Sequence, residues 1–485
     1  MYVIGLDIGT TCTKALVVDD RGQVAVAGSS GYELFSRGGC VEQRAEDWIL
    51  ASVKAVREAV KRIPAHEVAG LSVSAQGGST VAVDDRGNFI GNSITWMDTR
   101  AQKEADEIEE ELGGEYIYHT SGWKINPALD AAKIRYMKRD RAYKGADMYL
   151  TTLEVVNRFL TGEPVIDPTN AAMRQLYNVE KNDWDEKLMK AAGVTREELP
   201  IVRPTGMKIG ELQREAACKM GIREGIPVFN GAHDQYCASI GAGAVHEGDM
   251  LLSAGTTWVL MGIGEKPLFT KSYIAPGKHP VEGLYGAMAS LVCSGASLQW
   301  FKNEFLPEDF GRMNEEAAAR REKAKDLFFY PYLTGAFYPN WNVKAKGILT
   351  GFTLEHDRFD FARAIMEGVS FGVKRAVKDF SDNGCGIRRI TMMGGASKSF
   401  LWCQMIASVT GIPILRLNRT DICALGAAMI AACRLGVYKD YHEAAEHMVH
   451  VGHRFEPIPE ETEFYEEKYG RFLKMWENVR KYYEQ

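Results

Sequence analysis

Apolar and polar positions follow two different periods along this chain, and each change of period marks an element. Tyr2 to Leu6 is an apolar, β-branched run that predicts a strand. A tight polar turn follows, Asp7-Ile8-Gly9-Thr10-Thr11, and then a second strand from Lys14 to Val18. Asp19-Asp20-Arg21-Gly22 is a hairpin turn before a third strand. The same Asp-Asp-Arg-Gly turn recurs at Asp84 to Gly87, again between β-rich runs. After the first meander the period lengthens. Trp48, Ile49, Val53, Val56, Val60 and Ile63 fall at helical spacing, with Glu46 and Asp47 in the first turn, where acids favour the helix dipole.

Near residue 248 the pattern restarts. Met250 to Leu252 is apolar, Ser253-Ala254-Gly255-Thr256-Thr257 is another Gly/Thr turn, and Trp258 to Gly262 is a further apolar run. A strand, Gly/Thr turn, strand unit therefore stands at the start of the chain and again near its middle. This predicts two structurally similar halves with a hinge near Gly241 to Gly248. The second half holds more helix. Phe361, Ile365, Met366, Val369, Val373, Val377 and Phe380 form one helical stripe. Arg389 to Met393 reads as a strand, Phe400 to Val409 and Ala424 to Ala432 as helices, and Glu460 to Gln485 as a charged helix with Phe464, Phe472, Leu473 and Trp476 on its apolar positions.

Composition narrows the class. The 485 residues are 46% hydrophobic and 25% charged, which excludes a disordered, collagen-like or coiled-coil chain. The net charge of −6 argues against nucleic acid as a partner. Nine scattered cysteines without a C-x-x-C pair point to a reducing, cytoplasmic setting. The opening residues lack a basic region followed by a long apolar run, so no signal peptide is expected, and no apolar stretch is long enough to span a membrane.

The Gly/Thr turns carry the strongest chemical signal. A turn after a strand exposes backbone N–H groups, glycine admits a phosphate oxygen, and threonine hydroxyls add donors. Asp7, just ahead of the first turn, would repel a phosphate unless a cation stood between them, so Asp7 is a candidate Mg²⁺ holder, and Lys14 adds positive charge. Taken singly, either turn is also consistent with an ordinary hairpin. A third turn, Gly394-Gly395-Ala396-Ser397-Lys398-Ser399, suits a flat ring against the backbone or a plain strand-to-helix connection. Asp234, in Gly231-Ala232-His233-Asp234-Gln235, stands at a strand end. It suits either a base that accepts a hydroxyl proton or a helix cap. Trp96-Met97-Asp98-Thr99-Arg100 suits a polyhydroxylated ligand, or a surface ion pair beside a core tryptophan.

Three other patterns lead elsewhere. Gly368-Val369-Ser370-Phe371-Gly372 matches the nucleophile-elbow spacing but lies inside a helical stripe. His442-Glu443 with His447 is one residue too long for H-E-x-x-H. His447, His450 and His453 recur every third residue, which leaves a metal site or solvated histidines open.

Together these segments resemble the FGGY carbohydrate kinase family of the actin and Hsp70-like ATPase superfamily, from the first strand to about residue 430. The matching segments are GLDIGTTCTK, SAQGG (Ser74 to Gly78), WMDTR (Trp96 to Arg100), GAHDQ, SAGTT, SGASLQWF (Ser294 to Phe301), Gly347 to Glu367 and GGAS. The resemblance implies an α/β fold of two actin-like, ribonuclease H-like domains. Each is a mixed sheet flanked by helices, at 1–245 and 246–485, around a cleft. It implies ATP and Mg²⁺ and phosphoryl transfer to a sugar or polyol such as xylulose or a related pentulose. Methylpentulose, gluconate, glycerol and erythritol kinases are alternatives, as is a non-catalytic ATPase module.

By matching position, Asp234 would be the base, with Asp7 and Asp234 at the metal. Thr10, Thr11, Lys14, Gly255 and Thr256 would lie near the phosphates, and Gly295, Gln299, Gly395, Ala396 and Ser399 near the nucleotide. Gln76, Gly77, Gly78, Trp96, Asp98, Arg100 and Gln235 would line the sugar. Two departures stand out. Gly77-Gly78 replaces the Met-His of xylulose kinases and the Arg-Glu of glycerol kinases, which leaves space for a bulkier or less polar substrate edge. Ala336-Phe337 replaces a Glu-Arg pair. Helix-rich surfaces of the second half are candidates for a homodimer contact.

Overall fold

The computed structural model describes residues 1–335, 338–339, 342 and 344–482. Ala336 and Phe337, where the resemblance expects a charged pair, lie outside the described residues.

In the first half, β1 (Tyr2–Ile8), β2 (Cys12–Asp19) and β3 (Val24–Gly31) form the expected meander, followed by α1 (Ala45–Val60) and β4 (Val68–Ala75). Further along come α2 (Asp130–Arg139), β5 (Lys208–Glu211), β6 (Pro227–His233) and α3 (Asp234–Gly241). The six strands make one mixed sheet in the order β5-β6-β4-β1-β2-β3, with β1, β4 and β6 parallel. A five-stranded antiparallel sheet packs beside it, built from Phe35–Arg37, Cys40–Gln43, Phe89–Ile94, Thr80–Val83 and Met148–Leu150.

The second half repeats the plan. It contains β7 (Asp249–Ala254), β8 (Trp258–Gly264), β9 (Ala275–Lys278), β10 (Tyr285–Leu291), α4 (Ser294–Phe305), α5 (Arg358–Asp382), β11 (Arg389–Met393), α6 (Phe400–Thr410), β12 (Ile414–Leu417), α7 (Ile422–Arg434), β13 (Val451–Phe455) and α8 (Pro459–Val479). Its sheet order is β9-β10-β8-β7-β11-β12-β13. In both sheets an antiparallel meander, β3-β2-β1 or β10-β8-β7, is extended on its first strand by two parallel strands, β4-β6 or β11-β12. The two Gly/Thr turns occupy the same place in each plan, between first and second strand. The two similar halves read from the turns are thus two copies of one sheet topology flanked by helices.

The stripe of α5 is recovered, with Ile365, Met366, Val369, Val373, Val377 and Phe380 buried and Phe361 packed beside them, and those of α1 and α8 are recovered in part. In α1 the buried positions are Trp48, Ala51, Ala55, Val56, Ala59 and Val60, while Ile49 and Val53 are only partly covered. The reason is close approach. A Cβ on Gly28 of β3 would sit 2.2 Å from the Ala55 carbonyl oxygen, so only an alanine face fits there. In α8 the buried face runs through Tyr465, Lys468, Tyr469, Phe472 and Trp476, and Phe464 and Leu473 lie at its margin. Lys468 is buried because its Nζ donates to Glu367 (2.5 Å) and to the Ala324 carbonyl (2.6 Å). Gly368, Ser370 and Gly372 lie inside α5, where Ser370 Oγ donates to the Met366 carbonyl. Tyr441–Met448 is a helix that ends before His450, and His453 lies in β13, so the three histidines share no helical turn. Among the described residues no helix is long and apolar enough to cross a membrane.

Helix α7 is the seam between the halves. It belongs to the second half in sequence but packs on β1, β4 and α3 of the first. The approach is close enough to require glycine. A Cβ on Gly5 would lie 1.9 Å from the Ala424 carbonyl oxygen, and one on Gly426 would lie 1.9 Å from that of Cys237. One apolar cluster runs through this seam, from Val3 and Leu16 through Tyr236 and Ala424 to Leu251 and Met261.

Gly5→Ala should therefore destabilise the chain by about 1–3 kcal/mol, the usual penalty of overpacking a dense core. Gly470→Ala, at a helical glycine with nothing within 4 Å of the added Cβ, should stabilise it by about 0.5–1 kcal/mol. Urea unfolding of both variants checks the pair. Equal effects would show that the seam yields to an extra methyl group.

Candidate active site

Three parallel strands bring the first set of residues together. In the register of β1, β4 and β6, Asp7 and Ala232 both pair with Ser74, and Ile8 and His233 both pair with Ala75. Asp7, the Gln76 loop and Asp234 therefore emerge from one edge of the sheet. Ser74 Oγ donates to Asp7 Oδ1 at 2.8 Å. Asp421 and Cys423, from the start of α7, join this edge from the second half, and Asp421 Oδ1 accepts from Lys14 Nζ at 2.8 Å.

Negative charge is crowded here. Asp7 retains some accessible area, but protein surrounds its carboxyl and withholds bulk water. Burial, with repulsion from Asp234 and Asp421, outweighs the Ser74 hydrogen bond and Lys14 and raises its pKa to about 7. Burial alone would lower Lys14. The hydrogen bond and charge of Asp421 win, and its pKa is raised. Asp234 is the first residue of α3, and its Oδ1 has no hydrogen-bond partner. The cap of α3 is His233, whose Nδ1 accepts the Gln235 N–H at 3.3 Å. The alternative that Asp234 is a helix cap is thereby corrected: its carboxylate accepts no helix N–H, and its Oδ1 lies 3.3 Å from the same His233 Nδ1. Gln76, 2% exposed, donates to Gln43 Oε1 at 2.9 Å and keeps its own Oε1 unpartnered, as does Gln235.

The wall expected from Trp96 to Arg100 divides into two roles. Trp96 is 42% exposed, and its Nε1 donates to Thr10 Oγ1 at 3.2 Å, joining this segment to the first turn. Asp98 is fully buried. Its Oδ1 accepts from the Arg100 backbone N–H at 2.9 Å, and its Oδ2 accepts from the Val41 N–H at 2.6 Å and from Arg100 Nη2 at 2.7 Å. Burial opposes its charge, but the bonds from Arg100 and Val41 hold its pKa low. Arg100 also donates to Glu42 at 2.7 Å. The expectation that Asp98 lines a substrate is corrected: it fixes the loop that carries Trp96.

The reading of open space at Gly77-Gly78 is corrected as well. A Cβ on Gly77 would lie 2.7 Å from the His233 ring and 3.2 Å from Met173. One on Gly78 would lie 3.1 Å from Leu129, and the φ of Gly78 is +66°. The room left by the missing side chains is filled by neighbours of the same chain, and at Gly78 the backbone itself calls for glycine.

In the second half, a cavity of about 960 Å³ is lined by Gly255, Thr256, Gly295, Gln299, Gly395, Ala396 and Ser399. Every nucleotide-side residue predicted there meets in this one space. The size suits a nucleotide-sized ligand. A Cβ on Gly295 would lie 2.1 Å from the Gly255 carbonyl oxygen, and Ala296 N donates to the Thr256 carbonyl at 3.1 Å, so α4 is docked end-on against the turn. That aims its positive end at the turn, where an anion is favoured. Gly395 has nothing within 4 Å of an added Cβ, leaving its backbone open to a planar ring.

Sequence reasoning missed Asn303, Phe310 and Asn314, which line the same cavity. Asn303 accepts from Gln299 at 2.8 Å, four residues earlier on α4, and that helical spacing was a usable signal. Asn314 accepts from Ser399 at 3.0 Å across 85 residues of sequence, which no local pattern shows. Among the described residues, no group of three or more His, Cys, Asp or Glu is placed to hold a metal, the three histidines near 450 included.

Known proteins share this fold. Residues 2–241 match the profile of the FGGY family of carbohydrate kinases, N-terminal domain, and residues 250–435 match that family's C-terminal domain. The xylulose kinase of Bacillus subtilis (strain 168) is 27% identical over 485 residues, covering 99% of this chain and 96% of that protein. The gluconokinase of the same organism is 28% identical over 488 residues, covering 96% and 93%. The crystal structure of xylulose kinase from Rhodospirillum rubrum superposes with a TM-score of 0.94 at 26% identity, covering 100% of both chains.

The raised pKa of Asp7 has a definite sign. A carboxyl that ionises less readily folded than unfolded supports stability below the ordinary value of 3.8 and loses that support as pH rises to about 7. Asp7→Asn should therefore melt above the unsubstituted chain at pH 8, with the gap narrowing steadily toward pH 4. A gap that is absent at pH 8, or that widens on acidification, would show that Asp7 is not under this electrostatic pressure.

Proposed function

The chain belongs to the FGGY family of carbohydrate kinases, and on that premise we propose that it transfers the γ-phosphoryl group of ATP to a hydroxyl of a small ketose such as xylulose or a related pentulose. That it is a carbohydrate kinase follows from the family. The ketose is our reading, supported by the xylulose kinases among its relatives; gluconate, glycerol and other polyols, and methylpentuloses, are the competing substrates.

One observation carries the mechanism. The Oε1 atoms of Gln76 and Gln235 are buried without a hydrogen-bond partner at one sheet edge, beside the first Gly/Thr turn, and Asp234 Oδ1 next to them makes no hydrogen bond and faces the His233 ring, with Nδ1 at 3.3 Å. Buried acceptors are rarely left unsatisfied, and substrate hydroxyls would supply the missing donors. Trp96 would offer its face to the C–H side of the sugar. The turn at Thr10 and Thr11 and the turn at Gly255 and Thr256 would cradle the phosphates, with the nucleoside in the 960 Å³ cavity against Gly395 and Ala396.

Asp234 takes the proton of the acceptor hydroxyl as its oxygen bonds to the γ-phosphorus and the bond to the ADP oxygen breaks. Lys14 is positioned to help neutralise the phosphates. Asp7 and Asp234 fit a Mg²⁺ ion: two crowded carboxylates, one with an oxygen that makes no hydrogen bond, match a cation that takes its other ligands from phosphate and water. When bound, that ion would neutralise charge between phosphate oxygens. We also place the domain boundary at 245/246, in the loop between α3 and β7. A cytoplasmic site of action is supported by nine unpaired cysteines.

An ADP-release screen over D-xylulose, other pentuloses, methylpentuloses, gluconate, glycerol and erythritol identifies the acceptor. Asp234→Ala should lower kcat on the best of them by about two to four orders of magnitude while ATP binding is retained. Turnover near the unsubstituted rate would remove Asp234 from the chemistry.

A further inference from the structure

We propose that Lys133 is a positioning residue of the acceptor site, clamping together the two loops that carry Gln76–Gly78 and Trp96. The proposal rests on the reading that these loops form the sugar wall.

Lys133 lies in the first turn of α2 and is fully buried. Its Nζ donates to three backbone carbonyls: Gly78 at 2.6 Å, Thr95 at 2.7 Å and Ile94 at 3.2 Å. An ammonium has three hydrogens, and each has one acceptor. None of these partners is a carboxylate. Asp130 is committed to Arg174 at 2.7 Å and Thr80 at 2.8 Å, and Asp98 to Arg100. Burial pushes Lys133 down to about 7, against the pull of Asp130 and Asp98.

An ammonium buried on neutral acceptors is an expensive way to fill space, and a methionine of similar length would pack there without desolvating a charge. What the lysine adds is geometry. Gly78 sits at φ +66°, and its carbonyl is pinned by the ammonium. Thr95 immediately precedes Trp96, whose Nε1 reaches Thr10 in the first turn. One buried cation thus fixes the Gln76 loop relative to the Trp96 loop, and through Trp96 relative to the turn at Thr10. It touches no substrate, so its effect is on how well the wall is shaped before the sugar arrives.

The test is steady-state kinetics with D-xylulose, or with the panel compound that turns over fastest, for Lys133→Met, Lys133→Gln, Trp96→Ala and Lys468→Met. Lys133→Met should raise the sugar KM about tenfold or more while the ATP KM stays within about twofold. Lys133→Gln, which keeps two donors, should fall between Met and the unsubstituted chain, and it decides alone if the Met variant does not fold. Lys468→Met removes an equally buried lysine remote from the wall. It should lower the melting temperature and leave both KM values within about twofold. A folded Lys133 variant with an unchanged sugar KM overturns the proposal. If Trp96→Ala raises the sugar KM in that case, the wall itself stands. If Trp96→Ala also leaves it unchanged, the reading of the wall falls first.

Discussion

The structure depends on carboxylates forced together at the open end of a parallel sheet. Asp7 and Asp234 leave β1 and β6 on either side of Ser74, and Asp421 faces them from the start of α7. Like charges raise one another's energy, and at Asp7 the Ser74 hydrogen bond and Lys14 oppose this without overcoming it. A chain selected for stability alone would not gather them. Their arrangement makes sense as a site that is incomplete without a cation and a polyanion. The Lys14–Asp421 pair fits the same view, because it holds the nearest positive charge at the edge where phosphates would be received.

Holding that edge against the nucleotide cavity requires the halves to meet closely, and glycine makes this possible. Gly5, Gly241 and Gly426 let α3, α7 and β1 approach until carbonyl oxygens fill the space of a Cβ. Tyr236, two residues after the proposed base, reaches the other way, with Gly277 and Gly286 as its floor. The base and the second sheet are therefore linked through one short helix.

Much of this was legible in the sequence. The Gly/Thr turns announced both sheets, because a turn after a strand is a local event written in four or five residues. Asp234 was legible as a strand-end carboxylate, though not that His233 would do the capping and lie 3.3 Å from its Oδ1. The lining of the second-half cavity was legible through its glycines. What stayed hidden was long-range or buried. Asn314 meets Ser399, Asp421 meets Lys14, and Lys133 meets Gly78 only once the chain is folded. The buried faces of α1 and α8 were read in part: Trp48, Val56, Val60, Phe472 and Trp476 lie on them, but alanine and lysine complete them and periodicity counts only the large apolar residues. At both places a close backbone or a buried carboxylate decided the packing.

The acceptor wall shows why substrate identity is the hardest property to read. Taken alone, adjacent glycines at 77 and 78 suggest an enlarged pocket. In the fold, the His233 ring and Met173 occupy the volume beside Gly77, and Leu129 that beside Gly78. The pocket has been relined from other elements. The His233 ring is held from its other side, where Nδ1 lies 3.3 Å from the Gln235 backbone N and 3.3 Å from Asp234 Oδ1. Glycine at 77 and histidine at 233 are thus one packing decision: any side chain at 77 must displace the ring.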